Sequence, residues 1–264
     1  MKLTPTQLQK KILSRYTHNK RSLPWRDSFD PYHVYISETM SQQTQVVRVV
    51  PKFLQFIEQV PDFSALAQLD TPVLLSLWTW LWFNSRALRL RNAAKIIVDI
   101  YDGQVPTNRE ELESLPWVGP YMSASFLAFA HNVDVPVIDT NIRRVYIHEL
   151  WLTEKITRWE LEALCLRYLP CWKSNDWHNA LMDYGALVAT AKATWIKPIS
   201  KQSTFKWSDR EVRWWIIKQL TKNIDLKIDT ISQQFPNKDV KKIVHGLRKD
   251  DFIVIKDGQI CIAG

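Results

Sequence analysis

The chain has 264 residues, enough to bury a sizeable core in one large or two modest domains without a metal or a disulfide. Apolar residues make up 46% of it and the formal net charge is +8, which excludes a disordered chain and favours a polyanionic partner, nucleic acid first. No stretch approaches the roughly 18–20 uninterrupted apolar residues of a membrane-spanning helix, and no secretory apolar region follows Met1, so a cytoplasmic, nucleoid-associated protein without membrane contact is expected.

Thirteen tryptophans against six glycines is an unusual balance. Aromatic-rich basic chains often stack on bases, although most of these rings read equally well as large core side chains. Cys165, Cys171 and Cys261 lack the paired spacing of a zinc site or a disulfide framework and read as small core residues.

In chain order, "LTPTQLQKKILSRYTHNK" reads as an amphipathic helix capped near Thr4 or Thr6. Helical spacing of apolar residues continues to about residue 195, broken at "SLPWRDSFDP", "QVPDF", "LDTP", "DGQVPTN", "LPWVGP" and "NVDVPVIDT". Thr71 with Pro72 as the first helical residue, Thr107 with Glu110 three residues on, and Thr140 before "NIRRVYIHEL" are expected helix starts. "IKPISKQSTFKWSDR" has the polar texture of a linker. Beyond it, two helices, a basic helix with an asparagine cap, and a hairpin turning at Asp257-Gly258 follow in a winged-helix order. Such units place the third helix in DNA or serve protein contacts only, and both readings stay open.

Three stretches carry candidate chemistry. In "ISETMSQQTQ", Glu38 interrupts an apolar helical run before a polar break; alone it reads as a partly buried helix glutamate. In "LPWVGPYMSASFLAF", a tight turn with Gly119 able to adopt φ > 0 precedes a helix whose amino end can hold a DNA phosphate. In "VPVIDTNIRRV", an apolar run delivers Asp139 to a helix start, where N-capping by itself explains a lone aspartate.

Taken together, these stretches resemble the helix-hairpin-helix DNA glycosylases of the endonuclease III superfamily, and within it the MutY adenine glycosylases. The likeness runs from "LPWRDSFDPYHVYISETMSQQTQ" through "LWTWLWFNSRALRLRNAAK", "LPWVGPYMSASF" and "VIDTNIRRV" to "NALMDYGALVATAKATW". It implies an all-α, two-lobed core over 1–197: a six-helix barrel at about 24–131, and a second lobe from 1–23 plus 132–197. A linker at 198–207 and a small α+β winged-helix-like domain at 208–264 complete the expected organisation.

The resemblance further implies Glu38 as the acid that protonates adenine, Asp139 as the carboxylate that stabilises the cationic sugar, and Asn141 and Tyr121 as their companions. Gln42 and Gln43 match residues that enter the duplex, Phe83 an aromatic wedge beside Trp82, and Arg86, Trp117, Val118 and Gly119 further DNA contacts. Tyrosine rather than lysine at 121 implies a monofunctional glycosylase without lyase activity. The expected substrate is double-stranded DNA with adenine opposite 8-oxoguanine or guanine, bound by a monomer. Chemistry agrees: the leaving base needs a proton and the oxocarbenium-like sugar a negative neighbour. Among apolar residues Glu38 is expected to have a raised pKa, and Asp139 at a helix start to stay ionised. Base flipping is required, because neither carboxylate reaches a stacked base.

The chain also departs from the family pattern. The usual four cysteines of a [4Fe–4S] cluster are missing after "LMDYGALVATAKATWIK", so no iron–sulfur cofactor and no metal is expected, with Trp172, Trp177 and Trp195 packing in its place. Family glycines stand as Trp80, Trp82 and Trp117, and a Nudix-like domain is lacking, which leaves open a glycosylase for another damaged base, a non-catalytic DNA-binding protein, and a monovalent cation at the hairpin.

Overall fold

The structure is a computed structural model describing residues 2–26, 29–78, 84–198, 204–222, 224 and 226–263. In chain order these form α1 (Pro5–Asn19), α2 (Pro31–Ser41), α3 (Val46–Gln59), α4 (Phe63–Gln68), α5 (Thr71–Leu77), α6 (Ser85–Tyr101), α7 (Arg109–Ser114) and α8 (Pro120–His131). Next come α9 (Thr140–Glu149), α10 (Arg158–Tyr168), α11 (Ser174–Leu187) and α12 (Ala191–Thr194). The tail holds α13 (Asp209–Leu220), α14 (Ile228–Gln234), α15 (Val240–Lys249), β1 (Ile253–Lys256) and β2 (Gln259–Ile262). By contact the chain divides into two units, residues 1–38 with 105–201, and 39–104 with 202–264. This division cuts the expected 24–131 lobe at 38/39 and again at 104/105.

In the first unit α1 begins with a capping box, Thr4 and Gln7 satisfying each other's exposed donors, with Pro5 as the first helical residue. It buries Leu8 and Ile12, one turn apart, against α11 and α10. α11 also packs on α8 and α9, so Trp177, Leu181 and Tyr184 share a core with Tyr146, Val145 and Ala128. Gly185 matters most at the α9 contact: a Cβ there would stand 2.8 Å from Asn141 Cβ and 2.9 Å from its carbonyl oxygen. Only a bare backbone lets the start of α9 come that close.

In the second unit α4 and α5 lie on α6, which buries Ala87, Leu90, Ala94 and Ile97 along one face. Phe56 meets the buried Trp78 edge to face at 6.1 Å. The tail follows the predicted winged-helix order. Val240, Ile243, Val244 and Leu247 form the buried stripe of α15, and β1 pairs antiparallel with β2 through a turn at Asp257 and Gly258, both at positive φ.

Several local expectations are corrected. Asp70, not Thr71, is the N-cap of α5; Asn108, not Thr107, caps α7; Asp239, not the asparagine at 237, caps α15. In the last two the capping side chain lies one and two residues nearer the first free N–H groups than the residue expected, and accepts from them directly. Trp177 is fully buried, but Trp172 and Trp195 are more than four-fifths exposed and fill no gap. Cys165 is a core residue, whereas Cys171 is exposed.

Candidate active site

The first unit assembles its site from α2, α8 and the start of α9. α2 is buried along most of its length through Tyr32, Val34, Tyr35 and Ile36, and Tyr35 packs edge to face on Phe126 of α8. That packing fixes the helix rotation and turns Glu38 toward α8. There the Tyr121 hydroxyl donates to Glu38 Oε2 at 3.2 Å, and Ser125, one helical turn on, gives a second hydrogen bond.

Burial pushes the Glu38 carboxyl up to about 7. The hydrogen bonds from Ser125 and Tyr121 oppose the rise, Asp139 adds to it, and the Arg26 charge opposes it. The Tyr121 phenol is raised well above its ordinary value by burial and by the neighbouring Glu38 and Asp139 carboxylates, so it remains a donor.

Asp139 is the N-cap of α9, with Oδ1 accepting from the Ile142 N–H at 2.6 Å and Oδ2 from Asn141 Nδ2 at 2.9 Å. Burial raises its pKa above the ordinary aspartate value, contrary to the expectation from helix-start position alone. Backbone and side-chain donors from Ile142 and Asn141 and the Arg144 charge pull the other way. Asp139 thus has more donors holding its charge than Glu38, and the two carboxyl groups are unequal by construction.

Four residues that the sequence reading did not pick out hold this geometry. Arg144 donates to Asn141 Oδ1 at 2.6 Å and to the Gly185 and Ala189 carbonyls, which orients the asparagine toward Asp139. His178 accepts from the Val137 N–H at 3.2 Å and braces the run that delivers Asp139; burial pushes its pKa down to about 4, so it stays neutral. Arg26 faces Glu38 and is itself held by Asp183. Ser125 and Arg144 repeat at helical spacing from Tyr121 and Asn141, a signal that was legible.

The remaining expected residues scatter. Gln42 and Gln43 lie in the loop after α2, with Gln43 exposed at φ 54°. Arg86 is corrected: at 2% exposure it offers no surface to a phosphate. Its guanidinium instead donates to the carbonyls of Thr39 and Gln42 at 2.9 and 2.5 Å, clamping the loop that carries the glutamines. Trp82 and Phe83 lie outside the described residues.

At the hairpin between α7 and α8, Val118 is buried and Trp117 is 47% exposed. Gly119 caps α8 with no side chain, but its φ is −99°; the left-handed residue of the turn is Trp117, at φ 74°. The turn therefore needs its conformational freedom two positions earlier than expected.

Residues 36–171 match the family model of the HhH-GPD superfamily base excision DNA repair protein. An adenine DNA glycosylase of Mycolicibacterium smegmatis is 36% identical over 197 residues, 73% of this chain. The match spans 66% of that relative, just under two thirds of its length. Among solved structures, a thermostable thymine-DNA glycosylase is similar with a TM-score of 0.68 and 25% identity over 74% of this chain and 89% of that one. An endonuclease III trapped covalently on DNA shares the fold, with a TM-score of 0.62 and 18% identity over 75% of this chain and 91% of the other.

Proposed function

The chain belongs to the helix-hairpin-helix superfamily of base excision DNA repair proteins, and from that membership we propose that it is a monofunctional DNA glycosylase removing adenine mispaired with 8-oxoguanine or guanine. The observation that carries the reading is the pair of unequal carboxyl groups: Glu38 under the Tyr121 hydroxyl, with a pKa near neutrality, and Asp139 among donors.

With adenine flipped out of the stack, Glu38 gives its proton to the base as the glycosidic bond breaks, so the electron pair leaves on a neutral base. The Asp139 carboxylate faces the cationic sugar. Water then adds to the anomeric carbon and loses a proton, which leaves an abasic site. A lyase needs an amine for a Schiff base, and position 121 supplies a phenol instead.

Residues that would hold a four-cysteine cluster are missing from these 264 residues: Cys165 is buried in α10, Cys171 is exposed, and Cys261 sits on β2. The proposed chemistry uses none.

Duplexes bearing A opposite 8-oxoguanine, A:G, G:T, G:U and oxidised pyrimidines, treated with alkali after incubation, test the reading. Breaks at adenine alone support it. Breaks at thymine or another base would replace it with the second reading, which the likeness to a thymine-DNA glycosylase favours. Asp139→Asn is expected to lower base removal at least 100-fold while duplex affinity holds, and full activity would sink the mechanism.

A further inference from the structure

Among the described residues, ten other than glycine have positive φ. Five are Gln43, Asp102, Asn132, Asp251 and Asp257, four of them from the aspartate and asparagine class that tolerates the left-handed region. The other five are all tryptophan: Trp117, Trp151, Trp172, Trp195 and Trp207, at φ between 52° and 74°. A bulky side chain in that region is an outlier even once, and five instances of one residue type are not chance.

Their places in the fold share a pattern. Trp151 follows the C-cap of α9, where the Leu152 N–H reaches back to the Ile147 carbonyl at 3.0 Å, a closure that calls for a left-handed residue at 151. Trp195 is the left-handed C-cap of α12, Trp117 turns the hairpin, Trp172 lies in the turn before α11, and Trp207 precedes the N-cap of α13. Four of these rings are 76–84% exposed and the fifth 47%, so little burial compensates for the backbone strain. Trp78 and Trp177, by contrast, are fully buried and absent from the positive-φ residues. Glycine is scarce at six, and Gly103 and Gly258 occupy the same kind of turn.

We propose that positions 117, 151, 172, 195 and 207 are glycine in the protein its own cell makes. One cause writes a single residue type into unrelated turns: a codon with two readings. UGA is read as tryptophan in some genetic codes and as glycine in others, whereas UGG at the buried positions stays tryptophan. The hairpin then presents bare backbone at 117, where the indole now covers the turn.

Peptide mass spectrometry of the protein isolated from its own cells reads the assignment directly. Glycine at the five positions, with tryptophan at 78 and 177, is expected; tryptophan at all five would overturn it. Recombinant single variants give an independent reading. At each of the five positions Trp→Gly should melt about 2–4 °C above Trp→Ala, because only glycine enters the left-handed region without strain. At the exposed Trp159 inside α10 the order should reverse. Alanine above glycine at the five positions would refute the proposal. Tighter duplex binding by Trp117→Gly is expected as well; that arm alone rests on the proposed DNA function, so its failure beside five stability gains would count against the hairpin contact and not against glycine.

Discussion

At Glu38 the protonated carboxyl that the proposed chemistry needs comes at the expense of stability. Its folded pKa is raised to about 7 from an ordinary 4.5, so the protonated form is favoured in the fold. Its contribution is fully favourable below the unfolded pKa, declines between about pH 4.5 and 7 as the unfolded chain ionises first, and is gone above 7. Glu38→Gln is therefore expected to abolish excision yet to stabilise the protein above pH 7 by about 3 kcal/mol, with no gain below pH 4.5. Denaturant unfolding at the two pH values measures this, and an equal effect at both would show that burial does not set the carboxyl. Wild-type turnover should fall as pH rises through 7, on loss of the proton that Glu38 donates. The sequence named this residue by its place in "SETMSQQTQ" and read its apolar surroundings correctly. It missed the direction at Asp139, because desolvation depends on neighbours far along the chain, and a cap position alone records only the favourable donors.

At the scale of elements, α11 organises the site without touching the chemistry. Its Asp183, 4% exposed, accepts from the Arg21 backbone N–H and from the two terminal guanidinium nitrogens of Arg26, at 2.9 Å each. Burial works against its ionisation, but the hydrogen bonds and charges of Arg26 and Arg21 outweigh it and hold the carboxyl below its usual range. Asp183→Asn strands a buried arginine beside Glu38; a loss of about 3 kcal/mol in denaturant unfolding is expected. That stability difference should shrink as pH falls through the folded Asp183 pKa, since the wild type then loses the same charge.

Two residues further along, Gly185 permits α9 to sit against α11. Gly185→Ala should push Asn141 and Asp139 out of register and lower single-turnover excision at least 10-fold in a chain that still folds; unchanged rates would mean that α9 has slack. Helix existence and order were legible from apolar spacing, because a helix reports its own period. Caps slipped by one or two residues where adjacent acceptors competed, and "LMDYGA" gave no hint of which backbone its glycine would meet.

For the whole molecule, the net charge of +8 predicts duplex binding that weakens linearly in log affinity against log salt, by about 0.9 for each phosphate neutralised. A binding isotherm that ignores salt would remove the electrostatic argument for a DNA partner. Sequence by itself determined the helical class, the superfamily and the tail's helix-helix-helix-hairpin order, and it singled out Glu38, Tyr121, Asp139 and Asn141 as the candidates, since each of these is written in local spacing or motif. Tertiary structure decided the rest: that Arg86 clamps a loop from the interior, that Arg144 and His178 orient the aspartate, that the two carboxyl groups differ in their donors, and that five tryptophans stand in left-handed turns. Those outcomes depend on burial and on backbone angle, which arise only when segments distant in the chain share one volume.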